Sequence, residues 1–269
     1  MRYKIGFDVD YSEKKSETAC SVPCEVQPRR SVVQVYFPCR KTSWSYYNDR
    51  FDLKVGDFVF VEGKLEGQLG RVREVNYNFK IKPADYRRVI SVADTDVRGR
   101  FHMAGSHFVT FDPLAIPVEK IKGWYKPLVE ADDEFLFGAD ETVFSLNDLK
   151  GMQIPPAVAE RGHEYYMDSR VVYLCVDGCK GYAIVHGQMP YEVEFDYSNG
   201  EIRNPTCTCF CSGNCKHEFA AMLQLKETLE LIGKHYAKEH EHADYFAAIA
   251  RDVLLDFAVN SHETGSFVL

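Results

Sequence analysis

Residues 205–219 read PTCTCFCSGNCKHEF, and from Cys207 to His217 they place four cysteines and a histidine within eleven positions. Thiolate sulfur and imidazole nitrogen are the ligands of a closed, tetrahedral structural zinc site. Four donors complete such a site, and five are present. Cys207, Cys209, Cys215 and His217 form one set, Cys-x-Cys-x5-Cys-x-His. A rival set replaces Cys207 with Cys211 and needs a tight loop through Ser212, Gly213 and Asn214, which a positive φ at Gly213 would permit. Both sets imply Zn2+ as cofactor. A Cys–His nucleophile pair drawn from Cys211 and His217 competes with the metal for the same imidazole, because a ligating histidine cannot also act as a base.

The elements that must position these donors follow from the flanks. RVVYLCVDG (170–178), KGYAIVHG (180–187) and YEVEFDYSNGEI (191–202) alternate with a period of two and are separated by turn signals, the last being Asn199-Gly200. They predict an antiparallel meander that delivers Cys207 at its end. HEFAAMLQLKETLELIGKH predicts a helix, with Phe219, Met222, Leu223, Leu229 and Ile232 near helical spacing and Gly233 as its stop. A last helix is expected over ADYFAAIARDVLLDFAVN, with Phe246, Ala250, Val253, Leu254 and Phe257 on one face.

Taken with these flanks, residues 165–232 resemble a SWIM zinc finger: Cys-x-Cys, a loop, then Cys-Lys-His followed by an apolar helix. The resemblance implies that Cys207, Cys209, Cys215 and His217 are the ligands and that Cys211 is free. It implies a small zinc-bound module of a kind that accompanies DNA-handling enzymes or mediates protein contacts, and it does not imply catalysis. From Asp196 to Lys234, acidic Asp196, Glu201, Glu218, Glu227 and Glu230 face basic Arg203, Lys216, Lys226 and Lys234. Such a surface offers little to neutralise phosphates.

The front of the chain reads as β. SVVQVYF (31–37) is a short apolar strand, and in 53–81 Phe58 and Phe60 alternate with Val59 and Val61 between glycines 56, 63, 67 and 70. Curved strands punctuated by glycine predict a small barrel over residues 1–98. VGDFVFVEGKLEGQLGRVREV, with its Val-Gly-Asp opening and Gly-x-Val-x-x-Val strand, resembles SH3-like barrels of the KOW kind and, with the segments before it, the N-terminal barrel of primosomal helicases. Trp44, Tyr46, Tyr47 and Arg50, with Lys80, Lys82, Arg87 and Arg88 downstream, are the candidate nucleic-acid contacts, rings to stack bases and cations to follow phosphates. The competing reading packs these rings in the barrel core and leaves the cations solvated.

Charge divides the chain. The net charge of −8 hides +5 over residues 1–100 and −13 over residues 101–269. No apolar run reaches the length of a membrane span, and the N-terminus has no signal-peptide pattern, so a cytoplasmic protein with reduced thiols is expected. Cys20, Cys24 and Cys39 lack an evident fourth ligand, Cys175 and Cys179 read as ordinary thiols, and His235, His240 and His242 read as a solvated connector. No phosphate loop, nucleophile elbow or His-Glu-x-x-His is present. Residues 99–165, with an acidic stretch from Glu130 to Glu141, read as a linker with short elements.

The expectation is therefore an α+β protein: an SH3-like β-barrel (1–98), an irregular middle segment (99–165), a meander with a zinc-bound SWIM module (166–235), then a terminal helix and tail (236–269). Its expected function is that of a non-catalytic adaptor that binds DNA or RNA through the front half, with a zinc module that supports the fold or docks a protein. The alternative is a protein-interaction subunit of a larger complex that touches no nucleic acid.

Overall fold

A computed structural model describes residues 28–127, 142–211, 213–259 and 266–268. The acidic stretch 130–141, Cys20, Cys24 and most of the terminal tail lie outside the described residues.

Two antiparallel sheets carry the fold. The first contains β1 (Ser31–Phe37), β2 (Thr42–Asn48), β3 (Phe58–Val61), β4 (Gly70–Asn76) and β5 (Val89–Val92), in the order β2-β1-β4-β3-β5. Along β1, Val33, Val35 and Phe37 are fully buried while the residues between them are not, which is the period of a strand with one wet face. These side chains pack with Tyr46, Leu53, Val59, Val61, Leu65, Val72 and Val89.

The expected SH3-like barrel is not formed, because this sheet stays open. Closure would require a ladder between the edge strands β2 and β5. Instead β2 makes one isolated parallel bridge, Tyr47 to Arg88 just before β5, with the Tyr47 N–H donating to the Arg87 carbonyl at 2.9 Å. The chain reaches β5 through a single 3-10 turn, Pro83–Asp85, whose proline has no N–H to lend to a ladder. β5 itself is only four residues long.

The chain then runs through β6 (Arg98–Arg100), β7 (His102–Ala104), β8 (His107–Thr110), helix α1 (Val118–Tyr125), β9 (Val143–Ser145), helix α2 (Pro156–Met167), β10 (Val171–Asp177), β11 (Lys180–His186), β12 (Pro190–Ser198), β13 (Glu201–Cys207), helix α3 (Lys216–His235), the helical turn α4 (Ala237–His240), β14 (Tyr245–Ala250), the helical turn α5 (Arg251–Leu254) and β15 (Ser266–Val268). Eight of these strands form the second sheet, β7-β8-β14-β10-β11-β12-β13-β9, and β15 pairs with β6 in parallel. The β12–β13 hairpin turns at Asn199 and Gly200, with φ of 52° and 82°, the two positive values that a tight two-residue turn of this hand requires.

Two expectations fail here for one reason: the sheet is covered on both faces. The described residues between 99 and 165 are not an irregular segment, since β7, β8 and β9 enter the large sheet and α1 and α2 pack against it. The expected last helix is in its first part the central strand β14, where all six residues of YFAAIA are buried. Phe246 and Ala248 face the layer that holds α3, while Tyr245, Ala247 and Ile249 face the layer that holds α1. A strand apolar on both faces loses its alternation and reads as a buried helix. The same two cores account for β10, where Leu174 and Val176 join one and Tyr173 and Cys175 the other. Helix α3 also runs two residues past Gly233.

Candidate metal centre

The donors converge where β13 ends and α3 begins. In the ladder Cys207 lies opposite Val193, so it faces the α3 layer. Beyond it the Thr208 N–H donates to the Glu192 carbonyl, and the Glu192 N–H donates to the Thr208 hydroxyl, each at 3.0 Å. This pair of bonds pins Thr208 to the edge of β12, with Cys207 and Cys209 on either side of it. The loop to α3 turns through Gly213, whose φ of +92° is a conformation that side chains strain to adopt.

Cys215 is the N-cap of α3. Its sulfur accepts from the Glu218 N–H at 3.5 Å, and the Glu218 carboxylate accepts from the Cys215 N–H at 2.9 Å. This is a capping box with sulfur in the place of a hydroxyl. His217 follows in the first helical turn, buried, its ring stacked on Tyr191 at 4.2 Å and edge-on to Tyr165 at 5.5 Å. Tyr191 stands two residues before Val193 on the same face of β12, so the strand that registers Cys207 also holds the imidazole.

One ligand atom from each of Cys207, Cys209, Cys215 and His217 lies within 4.8 Å of the others. His217 Nδ1 is 3.7 Å from Cys207 Sγ and 3.8 Å from Cys215 Sγ. A tetrahedral zinc with bonds of about 2.3 Å to sulfur and about 2.0–2.1 Å to nitrogen sets those atoms about 3.6 Å apart. The donors therefore stand at the spacing of ligands around one ion. The His217 Nε2 atom is buried with no hydrogen-bond partner among the described residues, so the imidazole is oriented by its stacking on Tyr191 and by Nδ1 facing the Cys207 and Cys215 sulfurs.

With no ion present the thiols share protons: the Cys207 thiol donates to the Cys215 sulfur and is held far above the ordinary thiol range. That donation from Cys207, helped by His217 and the Glu218 N–H, lowers Cys215 to about 4. A buried thiolate at a helix N-terminus is a metal-ready ligand. Burial, then the negative charge on Cys215, pushes the Glu218 carboxyl up to about 8. Cys211 is exposed and stands outside the cluster, as does its neighbour Phe210, which is fully exposed at the loop tip.

Helix α2 closes the centre from one side. Gly162 lies so close to the start of α3 that a Cβ there would come within 2.9 Å of both the Lys216 carbonyl and the Phe219 ring. Nothing in the cysteine spacing announces this residue; only the helix crossing does.

The front-half candidates are dispersed. Of the three rings, Tyr46 and Tyr47 are buried, Tyr46 against Phe37 and Tyr47 beside Phe79, and only Trp44 is exposed. Arg88 pairs with Asp49 at 2.7 Å and lies over the Tyr47 ring. Arg50, Lys80 and Lys82 are exposed but line no common cavity with Trp44. Trp44 and Arg87 share one cleft with Arg40 and Lys64, two cations that the sequence reading passed over.

The remaining thiols are separate. Cys175 is buried in β10, burial pushing its pKa up to about 11, and exposed Cys39 donates to Gln68. No helix of the described residues is long and apolar enough to cross a membrane. Comparisons of the chain with protein-family models, with curated proteins and with solved structures gave no match. What stands is a Cys3His cluster of zinc-finger-like character, assigned to neither the SWIM nor the KOW family.

Proposed function

We propose that this chain is a zinc-stabilised, non-catalytic adaptor of the cytoplasm that contacts nucleic acid through its N-terminal half. The observation that carries the metal reading is the convergence of three sulfurs and one imidazole nitrogen within 4.8 Å. Three soft sulfurs with one imidazole favour zinc over hard cations. A four-protein-ligand set leaves no open position for substrate, which is the mark of a structural rather than a catalytic ion. Cys207, Cys209, Cys215 and His217 would hold it, and the bound ion would supply a crosslink between the end of β13 and the start of α3. Nucleic-acid contact is supported by the exposed Trp44 and by the excess of positive charge over residues 1–100. A second reading, a protein-interaction subunit, is supported by Phe210, an exposed ring on the loop between the ligands.

The test is metal analysis of the purified full-length chain beside Cys207→Ser, Cys211→Ser and His217→Ala. About one zinc per chain is expected, lost in the first and third variants and retained in the second. Retention of zinc by Cys207→Ser with loss in Cys211→Ser would move the site to the rival ligand set, and no zinc in any form would remove the metal reading.

A further inference from the structure

The open edge of the first sheet leaves a cleft of about 1050 Å³ between β2, the turn after β3 and the segment Asp85–Arg87. The cleft exists because the sheet does not close. Trp44 lies opposite Val35 in the ladder, so it projects from the same face as that fully buried residue. Yet Trp44 is 58% exposed, because it stands at the edge strand where no element among the described residues covers that face. A large ring on the core side of a sheet and still in solvent is a platform without an occupant from the described residues. Three exposed cations, Arg40, Lys64 and Arg87, line the same cleft. Two acids also line the cleft, Asp85 and Glu62, but the Glu62 carboxylate is turned to the Arg88 backbone N–H, which it accepts at 3.1 Å.

Resting on the nucleic-acid reading above, we infer that this cleft is a single-strand binding site, in which one unpaired base stacks on Trp44 and the flanking phosphates lie against Arg40, Lys64 and Arg87. A stacked base needs a free π-face, which a duplex keeps inside its own stack, so the platform selects single strands. The strand's phosphates complement the three cations and its bases complement the ring, the two kinds of group that the cleft offers. The aromatic supplies sequence-tolerant contact, because every base has a π-face.

Tryptophan fluorescence reads this site directly. The chain has two tryptophans. Trp124 is 1% exposed, stacked on Phe257 at 4.5 Å, with its indole N–H donated to the Asp94 carbonyl, so solutes do not reach it. Quenching by an added strand therefore reports on Trp44.

The experiment titrates the full-length, metal-analysed protein with a mixed-sequence single strand of about twelve nucleotides, as DNA and as RNA, and with the matching duplex. Tryptophan emission and the anisotropy of a labelled strand are read together. Expected are quenching, single strands bound at least about tenfold tighter than duplex, and a loss of about tenfold or more in Trp44→Ala. Trp44→Phe should keep most of the affinity, and the three cations together predict a log–log salt slope near −2, reduced by about 0.7 in Arg87→Ala. Unchanged Trp124 emission in Trp44→Ala shows that the fold is intact. The inference is overturned if no strand binds, if Trp44→Ala binds as well as wild type, or if duplex binds as tightly. Binding that survives Trp44→Ala would leave the broader nucleic-acid reading standing and remove only this cleft. A chain without zinc that still shows Trp44 quenching would do the reverse to the metal reading.

Discussion

The metal centre and the Trp44 cleft are built on opposite terms. At the metal centre every donor except Cys209 is brought in by an element whose register is fixed: Cys207 by the β12–β13 ladder, Cys215 by the α3 capping box, His217 by stacking on Tyr191. Cys215 and His217 are buried, and the four donor atoms stand within 4.8 Å of one another, a spacing that could hold a metal ion. The cleft is the product of what the first sheet fails to do. Its ring stands on β2, an edge strand that forms no ladder with β5 at the other edge. One site is defined by convergence and the other by an absence of cover, so the first should govern stability and the second should be nearly silent in it.

The largest effect should follow removal of the metal. Because a structural site does not exist in the unfolded chain, metal-binding energy is folding energy, about 10–16 kcal/mol in isolated zinc-finger peptides and less where a sheet already supports the ligands. Chelation or His217→Ala should lower the unfolding free energy by about 3 kcal/mol or more, seen as loss of α3 helicity in circular dichroism and a drop in Tm. Tryptophan emission from Trp44 should scarcely change. An unaltered Tm after verified zinc removal would show that the two-faced sheet holds α3 without the ion.

Gly162→Val tests whether α2 helps to hold that geometry. Its added side chain must displace the Lys216 carbonyl or the Phe219 ring, at the N-terminus of the ligand-bearing helix. Overpacking of this kind costs about 1–3 kcal/mol. Faster zinc loss to a chelator in competition is the specific readout; a variant that is destabilised yet retains zinc as tightly as wild type would separate α2 packing from the centre.

A third prediction concerns pH and a residue of the large sheet outside the centre. His107 on β8 is fully buried; its Nε2–H donates to the Val171 carbonyl at 2.6 Å, and its Nδ1 accepts from the Ser106 hydroxyl at 2.9 Å. β14 pairs with β10 only as far as Tyr173 and Ile249, so the imidazole satisfies a carbonyl beyond the end of that ladder. Burial holds the His107 pKa below its ordinary value, the Val171 bond opposing only in part. Below about pH 6.5 the unfolded chain therefore takes up a proton that the native one refuses, so stability falls as pH falls. Its contribution is complete above that value and shrinks until the folded pKa is reached. Between pH 7.5 and 5, His107→Gln should lose less Tm than wild type at equal zinc content. Parallel losses in the two proteins would assign the whole acid effect to metal release.

The contrast also explains what could be read from the chain alone. Ligand spacing is local, so Cys207, Cys209, Cys215 and His217 announce themselves within eleven positions, and the strands of the meander follow from their alternation and from Asn199-Gly200. β14 was hidden because YFAAIA is apolar on both faces, and whether a segment is covered on one side or two is settled by the rest of the fold. The barrel expectation failed on a long-range fact, the short β5 and the proline-bearing turn before it, which no strand pattern in 31–81 contains. For the same reason Tyr46 could not be told from Trp44: the two share one face of an edge strand and differ only in what lies above them.

The finest test separates two neighbours that the sequence treats alike. Arg87 is exposed and lines the cleft, while Arg88 donates to Asp49 at 2.7 Å and lies over the Tyr47 ring. The Arg88 pair is partly exposed, so solvent screening limits it to about 1 kcal/mol or less. Arg88→Ala should therefore cost a little stability and leave the salt slope of strand binding as it was. Arg87→Ala should leave the Tm unchanged and flatten the slope. Measured side by side, these substitutions set a cation used by the fold against one left for a ligand. If Arg88→Ala reduced the slope as much as Arg87→Ala, phosphate contact would extend past the cleft onto the Tyr47 side of the edge strand. The site would then be a diffuse basic surface rather than the pocket that the open sheet creates.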